Sequence, residues 1–555
     1  DEWTLGVKAL DYENIGTEVN SSAVMILAAA ADTTTPNSTS YVYNDTTPQF
    51  GEVVGFNSSF VDETAMSQWM FSHNLSGAWQ NMTASDVWVS TNGYNVSQYN
   101  LTINLTRGET VGWAFWGNDT NGNWNYTTLQ SFVVNNSAPN VSSVMLNTTD
   151  ISLNDTNQNL TGYPVVTDVD SDLIYNVTDW RKEGSSDNVL NMPFATDSNG
   201  SLIKDYSSYM NNGTSIGTDN ATYNSSCNSG YDGSGCYEFD GVDDIIEIQD
   251  INLTGEFTVS LWWDINVDSS YRFAISEDST GTSTKIGHNN DGTNFFIRVV
   301  NGGSSDTGVS LPSSGEWHNI VLTRDSSDKV DLYIDSNSPT RLFSDAAQSG
   351  ISKWSVIGKG SLDIGQYING SIDQVQIWNR SLSATEILNL YNGSRTTYLS
   401  SATTLGDNWS MCVTPDDLSD IGTTVCSSNV TILAEANTAP NTTLVIINAS
   451  ALTNFSDESI SCYANITDVD GGNVYGNYTW YNNSVEVLSG QSAAFTQNTI
   501  GLIATLGSGN TTFGDNWTCG VQAYDGSVYE GDWNNATLTV LNKLPNTTSI
   551  TIISN

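Results

Sequence analysis

Side chains equipped for catalysis are few and scattered in this sequence. Its three histidines, His73, His288 and His318, lie far apart, and none of the six cysteines sits in a Cys-x-x-Cys pair. Zinc and thiol chemistry are therefore not expected. Ser, His and Asp are all present, but no nucleophile-elbow glycine pattern singles out a serine, so they define no triad. Carboxylates are the plentiful group: 61 Asp and Glu stand against 16 Lys and Arg, a formal charge of −45. Glycoside hydrolysis needs two of them across one sugar-binding groove. Glu238, Glu247 and Asp264 fall in different strand-like runs and read as surface or turn residues. No catalytic residue is assigned, and the chain is expected not to be an enzyme.

So acidic a chain favours cations and repels nucleic acid and anionic membrane. Asp168-Val169-Asp170-Ser171-Asp172 and Asp468-Val469-Asp470 place alternate carboxylates on tight turns, where they can face one Ca²⁺. The second copy has Gly471-Gly472 where the first has Ser171-Asp172, and so offers fewer ligands. An ordinary solvated turn is the plainer reading of both. Asn-x-Ser/Thr acceptors number roughly forty, among them Asn20, Asn57, Asn95, Asn104, Asn176, Asn379, Asn465 and Asn546. That density marks a chain carrying N-linked glycans at a surface, although a composition rich in Asn, Ser and Thr makes part of it by accident. Six cysteines fit an oxidising compartment. No run of eighteen apolar residues is present, so no transmembrane segment is expected, and the start at Asp1 suits a mature form or a piece of a longer precursor.

Internal repeats show which elements position these groups. Asp515-Asn516-Trp517-Thr518-Cys519 is echoed by Asp407-Asn408-Trp409-Ser410-Met411 and by Asp1-Glu2-Trp3-Thr4-Leu5, each followed by a polar turn and a second alternating run. These are hairpins that close a unit. Openings repeat as well: Ala138-Pro139-Asn140, Ala439-Pro440-Asn441 and Leu544-Pro545-Asn546 each lead into an apolar run. Val166-Thr167-Asp168 and Trp180 then match Ile466-Thr467-Asp468 and Trp480, so one unit is interrupted between Trp180 and Trp409. The expected organisation is all-β: a closing hairpin at 1–31, a sandwich at 35–136, a split sandwich at 137–187 plus 400–434, an inserted domain at 188–399, a complete sandwich at 437–541 and a first strand at 542–555. The aromatic run Val111-Gly112-Trp113-Ala114-Phe115-Trp116 and the run from Leu129 to Val134 should form a hairpin of the 35–136 sandwich.

The complete unit carries Cys462, Trp480 and Cys519 in the order of an immunoglobulin-type sandwich, and it resembles the Ig-like repeats of archaeal cell-surface proteins. That resemblance implies a Cys462–Cys519 bridge between sheets. The split unit has Gly162 opposite that place and Met411 where Cys519 stands, so apolar packing should replace the bridge, with Cys412 and Cys426 pairing across their own hairpin. Cys227 and Cys236 flank a Gly-rich loop and should pair locally.

Within 188–399, several stretches keep one order: Asn191-Met192-Pro193-Phe194, Tyr237-Glu238-Phe239-Asp240-Gly241-Val242-Asp243-Asp244, Phe257-Thr258-Val259-Ser260-Leu261-Trp262-Trp263, Gly315-Glu316-Trp317-His318 and Ile372-Asp373-Gln374-Val375. They resemble the laminin-G-like, concanavalin A-like jelly rolls. The resemblance implies a double-sheet domain, with one Ca²⁺ held by Asp205 and Asp373 near the first and last strands. It also implies a fold shared with glycosidases, but their Glu-x-Asp-x-x-Glu strand is missing here. Trp262, Tyr271, Trp354 and Tyr367 are the candidate sugar-stacking residues, of which alternating strands must bury about half.

The function expected is a structural and adhesive component of an extracellular filament, stalk or surface layer that presents a lectin-like domain to glycans or a surface. Its terminal strands either belong to a longer array or link copies by strand addition. The rival reading is a carbohydrate-binding accessory region, or a hydrolase, of a secreted polysaccharide-active protein.

Overall fold

Alternation of apolar and polar residues over short runs, punctuated by Asn, Asp and Gly, produces strands nearly everywhere. The structure, a computed structural model, describes residues 2–8, 17–25, 30–82, 89–91, 94–150, 154–196, 198, 202–216, 221–225, 227, 231, 234–278, 284–299, 305–343, 350–360, 366–545 and 549–553. Contacts divide the chain into two compact units, 1–154 with 158–432, and 155–157 with 433–555.

At the start of the first unit, Glu2–Trp3 pairs with Val24–Met25, and Gly6–Val7 with Val19–Asn20, which makes the expected hairpin. The sandwich that follows packs a four-stranded against a five-stranded sheet. Its strand Thr110–Asp119 pairs with Met66–His73, Trp124–Tyr126 and Gln130–Val133. The core is aromatic: Phe56, Phe60, Phe71, Trp113, Phe115 and Phe132 are all buried. Each such side chain contributes about 1.5–3 kcal/mol by leaving water.

The split sandwich has one sheet of Asn140–Thr148, Leu160–Thr167 and Thr397–Tyr398, and a second built on Tyr175–Lys182 and Asn408–Asp416. The registers fall where the repeat predicts, with Leu146 opposite Gly162 and Trp180 opposite Met411. Tyr398 pairs with Leu160 of the host, so the chain returns to the sandwich at Thr397, before the expected boundary at Leu399.

The inserted domain is a jelly roll of one eight-stranded and one seven-stranded sheet. Its first strand, Asn188–Met192, and its last, Asn369–Trp378, lie side by side, which brings incoming and outgoing chain to one edge. The helix Ala384–Tyr391 follows, closed by a capping box of Ser383 and Glu386 worth about 1 kcal/mol. Its Ile387 packs with Leu382, Trp378, Tyr333 and Val321, covering the outer face of the eight-stranded sheet.

A polar seam holds this domain on its host. Arg380 Nε and Nη2 donate to the two oxygens of Asp187 at 3.1 and 2.8 Å, Nη1 to Glu386 at 2.7 Å, and Nη2 also to the Tyr398 hydroxyl at 3.0 Å. Trp180 Nε1 donates to the Arg395 carbonyl at 3.0 Å. On the other flank, Thr196 donates its N–H and hydroxyl to the buried Asp416 at 2.8 and 2.7 Å, and Asn191 Nδ2 donates to the Thr178 carbonyl at 3.0 Å. The partners on both flanks come from host and guest alike.

The second unit is the complete sandwich. A sheet of Asn441–Ala449, Ile460–Thr467 and Ile500–Leu506 faces one built on Asn473–Asn482 and Asn516–Tyr524. Cys462 bridges to Cys519 through the core. The pairs Cys227–Cys236 and Cys412–Cys426 are formed as well, the latter between directly opposed residues of a hairpin.

Candidate functional site

The two Asp-x-Asp turns hold joints. Asp168 Oδ1 accepts from the N–H groups of Asp170 at 2.7 Å and Asp172 at 3.5 Å, which shapes the turn. Asp170 then accepts from the Arg107 and Ser137 N–H groups, both at 2.7 Å, while Asp172 takes Arg107 Nη1 at 2.7 Å. Arg107 belongs to the preceding sandwich and Ser137 is the first residue of the split one, so these carboxylates hold the joint between the two. The second unit repeats the device inside itself. Asp468 Oδ1 accepts from the Asp470 N–H, and Asp470 accepts from the Thr438 N–H and hydroxyl. Neither turn gathers three carboxylates: among the described residues such convergence occurs at Asp32, Asp62 and Asp119, and at Asp240, Asp243 and Asp244.

Asp205 lies against the first strand of the jelly roll, and Asp373 within its last. Asp205 is buried, and its oxygens accept from the N–H groups of Asn191, Ser207 and Asn211 at 2.8 Å each and from the Ser207 hydroxyl at 2.7 Å. Four donors occupy the lone pairs that Ca²⁺ would need, so Asp205 serves as a turn cap. Asp373, fully buried, accepts from the Gln374 N–H at 2.7 Å.

Of the four candidate stacking residues, two are buried. Trp354 is fully enclosed, edge-on to Phe257 at 5.9 Å. Trp262 is buried on the opposite face of its sheet between the rings of Tyr231 and Tyr391. Tyr271 and Tyr367 remain accessible. Tyr271 is 36% exposed and meets Phe296 edge-to-face at 5.3 Å, and Tyr367 is half-buried with Lys359 Nζ 5.9 Å from its ring.

One arginine joins these tyrosines to an acidic turn. Arg272, next to Tyr271, donates through Nη1 to the carbonyls of Gly241 at 2.8 Å and Tyr367 at 2.6 Å, while Nε and Nη2 grip Asp268. Gly241 opens the turn Asp240-Gly241-Val242-Asp243-Asp244 between strands Cys236–Asp240 and Ile245–Leu253. It sits at φ +82, and an added Cβ would lie 3.1 Å from Asn369 Cβ, so any other residue there would be strained. Asp240 Oδ1 accepts from the Val242 N–H at 2.7 Å, and Asp244 Oδ2 from the Asp240 N–H at 2.9 Å. Asp244 Oδ1 is buried without a hydrogen-bond partner. Burial, and then the charges of Asp240 and Asp243, push the Asp244 carboxyl above its ordinary pKa. Turn, arginine and tyrosines together make a rim site on the jelly roll. The sequence carried the Asp240–Asp244 spacing, but only the turn shows that the carboxylates converge.

The cluster at Asp32, Asp62 and Asp119 is richer in donors. Asp32 accepts from Thr34, Thr64 and Asn121, and Asp119 from the Asn121 and Asn123 N–H groups and Asn123 Nδ2. Hydrogen bonds, led by those from Thr34, hold the Asp32 carboxyl far below the usual range.

A Ser-His-Asp line is present that residue spacing did not mark. Asp335 Oδ2 lies 2.7 Å from His318 Nδ1, and His318 Nε2 lies 3.2 Å from Ser313 Oγ. The exposed Ser313 hydroxyl also donates to Glu316, while Asp335 Oδ1 accepts from the Asn319 N–H at 2.9 Å. The serine proton is thus already taken by a carboxylate, and the line ties an exposed turn to the next hairpin. Glu238 and Glu247 are exposed on different sheets, and Asp264 is buried, its carboxyl raised by desolvation. Glu238 and Asp264 both stand opposite Ser371 on one face of the eight-stranded sheet, the first exposed and the second buried, while Glu247 lies on the other sheet.

Among the acceptor asparagines, Asn20, Asn104 and Asn379 are exposed, and Asn57, Asn176 and Asn465 are partly buried. The side chain of Asn95 and all of Asn546 lie outside the described residues. No described helix is long and apolar enough to cross a membrane.

Residues 240–388 match the family described as the concanavalin A-like lectin/glucanases superfamily, of the Laminin_G_3 type. No curated protein matches the chain. Among solved structures, domain 4 of AbnA, a GH43 extracellular arabinanase from Geobacillus stearothermophilus in complex with arabinotriose, is 16% identical over 37% of this chain and 99% of that one, with TM-score 0.29. The receptor-binding domain of botulinum neurotoxin C/D mosaic serotype is 13% identical over 64% and 93%, with TM-score 0.29. Trypanosoma rangeli sialidase in complex with sialic acid is 12% identical over 70% and 77%, with TM-score 0.27. The chain thus contains a lectin-like jelly roll, and its three disulfides are a feature of extracellular proteins.

Proposed function

We propose that this protein is a non-enzymatic structural and adhesive component of an extracellular filament, stalk or surface layer, built from Ig-like sandwiches and presenting its jelly roll to glycans or to a neighbouring surface. The observation that carries this reading is the mounting of the guest domain. Incoming and outgoing strands share one edge, and Arg380 fastens that edge to Asp187 and Tyr398. A domain held at one edge leaves the Tyr271 and Tyr367 rim accessible, whereas a catalytic domain would need a paired-carboxylate groove. N-linked glycans on exposed acceptors such as Asn104 and Asn379 would suit life outside the cell. Self-association would use strand addition by the segment holding Ile550, Ile552 and Ile553, which are 83%, 88% and 84% exposed.

The test is a glycan array probed with the whole chain. Binding that is lost in the Tyr271→Ala, Tyr367→Ala double variant supports the adhesive reading. Absence of binding to every glycan leaves a purely structural component. Release of reducing sugar from a polysaccharide by the purified chain would contradict the non-enzymatic reading.

A further inference from the structure

We propose that Asp240, Asp243 and Asp244 form a binding site for one divalent cation of the Ca²⁺ type on the rim of the jelly roll. One ligand oxygen from each of the three carboxylates lies within 4.8 Å of the others. That is the spacing at which a single ion can bridge them, and without one the like charges repel.

Asp244 points to the ligand most directly. It is only 4% exposed, so its carboxylate has given up water. Oδ2 recovers one hydrogen bond from the Asp240 N–H, but Oδ1 is enclosed and receives none. A buried carboxylate oxygen without donor or counter-ion is costly. Arg272 does not relieve it, because its hydrogen bonds go to the Gly241 and Tyr367 carbonyls and to Asp268. The donor set is all oxygen, which selects a hard ion over zinc or copper. Asp240 is exposed and Asp243 half-buried, so the ion would be anchored on its inner side by Asp244 and keep outer positions for water or another oxygen ligand.

This site differs from the expected calcium positions at Asp205 and at Asp170. At Asp205 four donors fill the carboxylate, and at Asp170 and Asp172 the donors come from the neighbouring sandwich. The proposal does not depend on glycan binding and is tested without a glycan.

The experiment is a Ca²⁺ titration of the whole, chelator-stripped chain by calorimetry, with Tb³⁺ luminescence as a second readout. The wild type should bind. Asp244→Asn should lose one equivalent or weaken it at least tenfold, while Asp205→Asn keeps it. Asp243→Asn, which leaves the Asp244 cap on the backbone in place, should weaken the same equivalent and guards against misfolding of the first variant. Ca²⁺ should raise the melting temperature of the wild type more than that of Asp243→Asn. Failure of the wild type to bind at neutral pH would overturn the site, as would unchanged stoichiometry and affinity in both variants.

Discussion

The complete and the split sandwich solve one packing problem in two ways. In the complete one, Cys462 and Cys519 meet in the core, and Trp480 packs edge-to-face on Trp517 with ring centroids 6.1 Å apart. In the split one, glycine stands at 162, and a Cβ there would lie 2.2 Å from Met411 Cε. Met411 therefore fills the volume that the bridge fills elsewhere. The disulfide has moved one residue along, to Cys412 and Cys426 on the hairpin. Tyr398, delivered by the chain as it leaves the guest, sits between the two tryptophans, 5.2 Å from Trp180 and 4.2 Å from Trp409. What the sandwich requires is filled core volume; the covalent link is one way to supply it.

Breaking the core bridge should have the largest effect. Cys462→Ala with Cys519→Ala opens a loop of 57 residues and should cost about 4 kcal/mol in chemical denaturation of the second unit. The same treatment of Cys412 and Cys426, separated by 14 residues, should cost about 3 kcal/mol. An equal or larger loss at the hairpin pair would mean that the two sandwiches share one stabilising device after all.

Arg380→Met leaves Asp187 and Glu386 without their cation at a partly buried seam that only the split sandwich has. A loss of about 2 kcal/mol is expected, below the range for fully buried pairs because Arg380 is itself partly solvated. Proteolytic nicking near 187 and 396 should increase in parallel. Gly162→Ala should cost about 1 kcal/mol, since the end of Met411 can swing aside, whereas Met411→Ala should cost about 2–4 kcal/mol by leaving a cavity.

The smallest effect is one of slope. Asp179 of the split sandwich stands where the complete one has Thr479. Burial, with the Asp205 charge adding to it, raises the Asp179 carboxyl pKa against the pull of Arg181. The folded state therefore holds this proton more tightly than the unfolded chain. Its contribution is favourable below the ordinary value of 3.8 and is lost as pH rises through the raised one. Asp179→Thr should remove that fall from urea midpoints measured across the acid range. An unchanged slope would show that Asp179 does not titrate apart from Arg181.

Much of this contrast was legible in the residues, because repeats align positions that share a structural task. Gly162 against Cys462, Met411 against Cys519, and the gap between Trp180 and Trp409 all follow from one register. Facing was harder to read. Strand Phe257–Ile265 is buried on both sides, by the core and by Tyr231, Tyr391 and the terminal helix, so alternation could not mark Trp262 as enclosed. The Asp-x-Asp turns suggested a cation because their partners, Arg107, Ser137 and Thr438, lie far away in sequence or beyond the turn. Asp240 and Asp244 belong to a stretch that a family likeness already explained, and their convergence required the left-handed glycine between them.

The guest jelly roll is held firmly by the split sandwich at one edge. Amide hydrogen exchange on the intact chain and on Arg380→Met tests it directly. Protection should fall together at Asn188–Met192 and Thr397–Tyr398, while Ile460–Thr467 and Asn516–Tyr524 of the second unit stay unchanged. Equal exchange at the seam in both proteins would contradict a mount held by Arg380.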